Sequence, residues 1–123
     1  MTGLIVTVDN RELPATWIDA DPELIERIDA ALPLEVDCTR WGDELYGPVP
    51  IEYQPAETVT SVEPGTLAYW PAGPAICLFW GPTPASTDDT PVAASPVGPF
   101  ARLDRIDPLT TLEGSAIMML ERP

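Results

Sequence analysis

The chain has 123 residues, 45% of them apolar, which is the size and composition of a protein that folds as one domain; we predict a single domain over residues 1–123. Twenty acidic residues against six arginines give a net charge of −14, which argues against the phosphate backbone of a nucleic acid as a partner. Because histidine and lysine are absent, Ser-His-Asp triads, Cys-His dyads, histidine-bearing zinc sites, Walker phosphate loops and lysine Schiff bases are excluded.

Most of the predicted elements are short strands, because runs rich in β-branched or large apolar residues are bounded by Gly, Pro or Asp. In chain order they are GLIVTV at 3–8, LEVDCTRW at 34–41, TLAYW at 66–70, AICLFW at 75–80, PFARL at 99–103 and SAIMMLER at 115–122. AICLF is apolar on both faces, as expected of a strand between a barrel interior and a covering helix. Several strands with few helices favour a closed antiparallel β-barrel, since closure removes exposed edges.

Two helices interrupt the strands. The first is predicted at about 21–32, with Asp21 as N-cap, Pro22 at the first helical position and Pro33 as the stop. The second is a short helix at about 107–113, with Asp107 as cap and Gly114 as terminator.

The stretch from Pro82 to Pro99 is predicted as one long loop, which is either a surface excursion or a binding loop. Before it, YWPAGPA at 69–75 predicts a tight hairpin, because Pro71 lacks a ladder donor and Gly73-Pro74 permits a sharp reversal. The aromatic residues on either side of this turn are expected to fill the barrel or its end.

The location of the protein is predicted to be cytoplasmic. The start MTGLIVTVDN lacks a basic region and a signal-length apolar run, and no segment approaches the ~20 apolar residues that span a membrane. Cys38 and Cys77 lie in apolar or strand-like runs, where reduced cysteine packs as a small hydrophobe.

The acidic excess predicts adaptation to high salt, because molar salt screens the repulsion among like charges. A GC-rich genome is the alternative, and it explains the missing lysine but not the surplus of acids. Under salt adaptation, we expect the melting temperature to be higher in molar potassium chloride than in dilute buffer. Thermal unfolding followed in both solutions tests this, and an unchanged melting temperature would reject the idea.

Three blocks of the sequence resemble a known family. RWGDELYGPVP at 40–50, GTLAYWPAGPAICLFWGPTPAS at 65–86 and LEGSAIMMLE at 112–121 are similar to small, largely uncharacterised bacterial and archaeal proteins with a cyclophilin-like fold. The resemblance runs from Gly3 to Glu121, and the composition is that of a haloarchaeal-type member. It implies a barrel with two helices, related in architecture to the prolyl isomerases and to cyclophilin-like domains of some amidohydrolase subunits. It implies no particular activity.

The favoured function is a binding module for a small molecule or short peptide, without established catalysis, at an aromatic pocket at one end of the barrel. The candidate pocket residues are Arg40, as polar anchor, with Trp41, Glu44, Tyr46, Tyr69, Trp70 and Phe79. The alternatives are a weak peptidyl-prolyl isomerase, with Arg40 acting on the twisted amide, and a protein-interaction subunit. Arg40 could instead be a rim residue that pairs with Asp43 or Glu44.

The sequence gives less support to nucleophilic catalysis or to metal binding. Cys77 is interpreted as packing, because an apolar strand raises the pKa of a thiol and no histidine can act as its base. The acidic pairs at 43–44 and 88–89 lack the spaced oxygens that a Ca²⁺ site needs, so we predict no metal and no cofactor. The oligomeric state is left open.

Overall fold

A computed structural model describes residues 3–123; Met1 and Thr2 lie outside the described residues. It contains nine strands, one α-helix and one 3₁₀ helix. The elements are β1 (Leu4–Val8), β2 (Arg11–Trp17), α1 (Pro22–Ala31), β3 (Leu34–Arg40), β4 (Glu44–Pro48), β5 (Val59–Ser61), β6 (Thr66–Trp70), β7 (Ala75–Phe79), β8 (Val92–Leu103), the 3₁₀ helix (Asp107–Leu109) and β9 (Ala116–Glu121).

Eight of the strands form a closed ring. Their order is β2-β1-β9-β3-β4-β7-β6-β8, and a further pairing of β2 with β8 completes the circle. The pairings in the ring are antiparallel, and β5 adds to β8 outside it. The predicted mainly-β, barrel-like, cyclophilin-like architecture is therefore confirmed.

The core is divided between the inside and the outside of this ring. The larger cluster takes side chains from all eight ring strands, among them Leu4, Leu13, Val36, Leu45, Leu67, Ile76, Phe100 and Met118, so it fills the interior. The smaller cluster consists of Val62, Ala68, Cys77, Phe79, Ala93 and Val97. Because successive side chains of a strand point to opposite faces, its members from β6 and β7 lie on the outer face of the ring.

Helix α1 agrees closely with the prediction. Its N-cap is Asp21, whose carboxylate accepts a hydrogen bond from Leu24 N at 3.3 Å, and its proline is in the first turn. Leu24 and Ile28 are buried in the interior cluster.

The second helix is shorter than predicted. Only Asp107–Leu109 is helical, and Asp107 lies inside the turn rather than capping it, since Ile106 is the N-cap. The Thr110 N–H and hydroxyl both donate to the Asp107 carbonyl, at 3.1 and 2.7 Å, and these bonds close a single turn.

The prediction of a continuous loop from Pro82 to Pro99 is wrong in its second half. Strand β8 begins at Val92 and runs unbroken to Leu103. Pro99 lies opposite Ala68, where the register against β6 shifts, and Pro96 lies where the pairing with β5 is irregular; proline is accommodated at such irregularities. Strands β2, β4 and β5 were also absent from the predicted set.

The predicted hairpin at 69–75 is confirmed, with Trp70 paired to Ala75 across the turn. Strand β7 is buried on both faces as expected, but the outer face is covered by residues from β8 rather than by a helix. Within residues 3–123, the structure contains no helix that is both long enough and apolar enough to cross a membrane.

Candidate functional site

A cavity of about 220 Å³ lies on the outer face of the ring, under the first half of β8. We call it the outer cavity. Its lining is Trp41, Glu44, Tyr46, Trp70, Cys77, Ala93, Ala94, Ser95 and Val97. The cavity therefore lies on the outside of the ring and not at the end of the barrel, where the sequence led us to expect a pocket, and the interior of the ring is filled by packed side chains.

Strand β4 carries two of the lining residues because of its two-residue period. Glu44 and Tyr46 share one face, which looks outward, while Leu45 between them is buried in the interior cluster. Strand β7 pairs with β4 so that Tyr46 lies opposite Cys77, which brings the thiol to the floor of the outer cavity.

Glu44 is the acidic residue of the outer cavity, and it is only 4% exposed. Burial raises the pKa of its carboxyl group to about 7, and a hydrogen bond with the Cys77 thiol opposes this shift only in part. The same desolvation, together with the nearby Glu44 charge, raises the pKa of Cys77 well above its ordinary value. The thiol is therefore protonated near neutral pH and is a poor nucleophile, in agreement with its interpretation as packing.

Aromatic rings form the sides of the outer cavity. Tyr46 and Trp70 meet edge to face, with ring centroids 6.3 Å apart and planes at 83°. The Trp70 indole N–H donates to the Ser95 hydroxyl, which ties β6 to the covering part of β8. All three aromatic lining residues are half-buried, so part of each ring is left uncovered by the protein.

The position of Trp41 depends on a tight turn between β3 and β4. Gly42 adopts φ +64°, a left-handed conformation that favours glycine, and Trp41 N donates to Glu44 O at 2.9 Å. Asp43 joins the turn to the chain after β7, because its N–H donates to Pro82 O and its carbonyl accepts from Trp80 N, both at 3.0 Å.

Arg40 holds this turn and does not line the outer cavity. Its guanidinium donates to Gly42 O at 2.8 Å, to Asp43 Oδ1 at 3.0 Å and to Leu112 O. It also lies over the Trp80 ring, 5.2 Å from the centroid. The structure thus gives Arg40 the pairing with Asp43 that the sequence allowed as an alternative, and not the role of polar anchor.

Two other predicted pocket residues also lie outside the lining. Tyr69 is buried in the ring interior, where its hydroxyl donates to Ile51 O at 2.6 Å and accepts from Tyr53 N at 3.3 Å. Phe79 belongs with Cys77 to the smaller cluster, and it does not line the outer cavity. Four of the seven predicted residues, Trp41, Glu44, Tyr46 and Trp70, are brought together.

Strand β8 supplies Ala93, Ala94, Ser95 and Val97 to the lining, a contribution that was not predicted from the sequence. The prolines around VAAS concealed the strand, although Val92, Ala93 and Val97 form an apolar pattern that a surface loop does not need. The segment before β8 is held by its own hydroxyl groups: Thr83 Oγ1 donates to Val92 O at 2.5 Å, and Ser86 Oγ donates to Thr90 O at 2.7 Å.

The outer cavity offers a carboxyl group, a thiol and aromatic faces. Within residues 3–123, no group of three or more cysteine or acidic side chains is arranged to hold a metal ion. The chemistry available to these residues is hydrogen bonding or ion pairing through Glu44, together with apolar and aromatic contact.

Comparison with known proteins defines the class. Residues 3–116 match the family model described as Cyclophilin-like, so the chain belongs to the cyclophilin-like family. The solved structure of the hypothetical protein AF2241 from Archaeoglobus fulgidus is 32% identical, with a TM-score of 0.80 over 99% of this chain and 95% of that one. The resemblance predicted from the sequence blocks is confirmed.

A second similar structure is that of McbB in complex with tryptophan, with a TM-score of 0.72 and 12% identity over 97% of this chain and 44% of that one. At this identity the likeness shows the fold alone. No match was found among curated proteins.

Proposed function

We propose that this cyclophilin-like protein is a binding module that holds a small organic molecule in the outer cavity. The observation that carries the proposal is the placement of Glu44, a buried carboxyl group that faces an aromatic-lined cavity instead of a protein cation. A buried ionisable group without a charged partner destabilises a fold, and such groups are concentrated at functional sites.

The size of the outer cavity supports a small ligand. A volume of about 220 Å³ is below the range of about 300–1,000 Å³ that is typical for drug-sized molecules. Weak prolyl isomerisation is less well supported, because the guanidinium of Arg40 is engaged by Asp43 and by two backbone carbonyls away from the outer cavity.

The proposal is tested with a library of small one-ring and aliphatic fragments, followed by amide chemical shifts. We expect fragments that bind to shift the amides of Glu44, Tyr46 and Ala93. Ser95→Phe places a ring beside Trp70 in the outer cavity and should weaken this binding at least about tenfold.

The matched control is Ala85→Phe, which adds the same ring at an exposed position outside the lining and should leave binding unchanged. Fragment binding that maps elsewhere, or that survives Ser95→Phe, would contradict the proposal. The absence of any binding fragment would do the same.

A further inference from the structure

We infer that the ligand of the outer cavity is a small organic cation, a quaternary ammonium or amine group, that contacts Trp41, Tyr46 and Trp70 and uses Glu44 as its counter-ion. This inference rests on the proposed function and specifies the chemistry of its ligand. It follows from three properties of the site: an unpaired buried acid, several aromatic walls, and the absence of any competing positive charge in the lining.

Glu44 has no cationic partner among residues 3–123. In the described part of the chain the arginine ion pairs use Glu23, Asp29, Asp43 and Glu63, and none uses Glu44. A carboxylate transferred from water into apolar surroundings is strongly disfavoured unless it is paired. A bound cation would supply the charge that the fold itself does not.

Three aromatic side chains line the outer cavity. The faces of tryptophan and tyrosine rings attract cations, and the attraction is stronger when both partners are shielded from water. Tyr46 and Trp70 present planes at nearly right angles, and Trp41 adds a third ring from the β3–β4 turn. This combination of rings and one carboxylate is the chemistry by which proteins recognise ammonium groups.

The charges of the site and of the whole chain disfavour an anionic ligand. The titratable side chains in the lining are Glu44, Tyr46 and Cys77, and none of them is positive in any protonation state. The whole chain carries a net charge of −14, whose field attracts cations and repels anions.

The test compares choline with 3,3-dimethyl-1-butanol, in which a carbon atom replaces the charged nitrogen at almost the same shape. Binding of each compound is measured by calorimetry at pH 8 and a fixed concentration of potassium chloride. We expect the wild-type chain to bind choline at least about tenfold more tightly than the neutral isostere. Glu44→Gln should lower this ratio severalfold and leave only the preference that the aromatic rings provide.

Glu57→Gln is the control, because it removes the same charge from an exposed position and should keep the wild-type ratio. Equal binding of the two compounds, or tighter binding of the alcohol, would overturn the cation inference while leaving the proposed function in place. Binding of neither compound would also overturn the inference. The fragment screen with Ser95→Phe decides the proposed function independently.

Discussion

Replacement of Glu44 by glutamine should stabilise the folded protein at pH 8 by about 3 kcal/mol. The pKa of this carboxyl group is raised by burial from its ordinary 4.5 to about 7, and each unit corresponds to roughly 1.4 kcal/mol. Above pH 7 the wild-type chain must keep a buried negative charge that the unfolded chain exposes to water. Glutamine has nearly the same shape, carries no charge and can still accept from the Cys77 thiol.

The sign of the pH dependence follows from the same shift. Below pH 4.5 the carboxyl group is protonated in both states, so the variant and the wild type should differ little. Between pH 4.5 and 7 the unfolded state releases the proton first, and the stability that the proton provides is lost as the pH rises through 7. The advantage of Glu44→Gln should therefore grow across this range and then level off.

Urea unfolding of both proteins between pH 4.5 and 8.5 measures this difference. Glu57→Gln, at an exposed position, controls for the removal of one charge from an acidic chain and should change stability by less than about 0.5 kcal/mol. If Glu44→Gln were less stable than the wild type at pH 8, the carboxylate would have to be held by favourable interactions, and the unpaired state argued above would be wrong.

Asp21→Ala should have the opposite effect and destabilise the fold by about 3 to 5 kcal/mol. The Asp21 carboxylate caps α1 at Leu24 N, and it also accepts from Tyr53 Oη at 2.9 Å and from Ala56 N at 3.0 Å. Loss of a cap costs about 1 kcal/mol, and hydrogen bonds to a charged group contribute about 1.5–3 kcal/mol each. Desolvation opposes ionisation of Asp21, but these bonds outweigh it and lower its pKa.

The control for this variant is Asp29→Ala in the same helix. Asp29 forms an exposed ion pair with Arg122 at 3.2 Å, and such pairs contribute about 0–1 kcal/mol. Chemical denaturation at pH 7 compares the two variants. If both variants lost the same free energy of unfolding, the bonds from Asp21 to the segment at 53–56 would not stabilise the fold. The loss would then reflect only the removal of one acidic residue.

Local signals in the sequence predicted most of the ring but not all of it. The capped helix, the Pro-Gly hairpin and the strands rich in Val, Ile and Leu need only short-range chemistry, and they were predicted correctly. Strand β2 contains Pro14, and β4 ends in Gly47-Pro48, so both look like turns when read alone. They form because neighbouring strands supply partners: Pro14 lies opposite Ile5, and Gly47 opposite Ile76.

The site shows the same division between local and long-range information. Alternation along β4 is enough to place Glu44 and Tyr46 on one face, and both line the outer cavity. The same alternation puts the side chains of Tyr69 and Trp70 on opposite faces of β6, and Tyr69 lies inside the ring. The direction of Arg40 depends on the β3–β4 turn and on Leu112, a contact across 72 positions of the chain that no local pattern reveals.

The covering half of β8 meets the outer cavity with small side chains, Ala93, Ala94 and Ser95, whereas the opposite side is built from large rings and the buried acid. Different parts of the chain therefore determine the chemistry of the outer cavity and its size. Under the proposed function, a residue bulkier than alanine at position 93 would limit the size of the ligand, while Glu44 would still determine its charge.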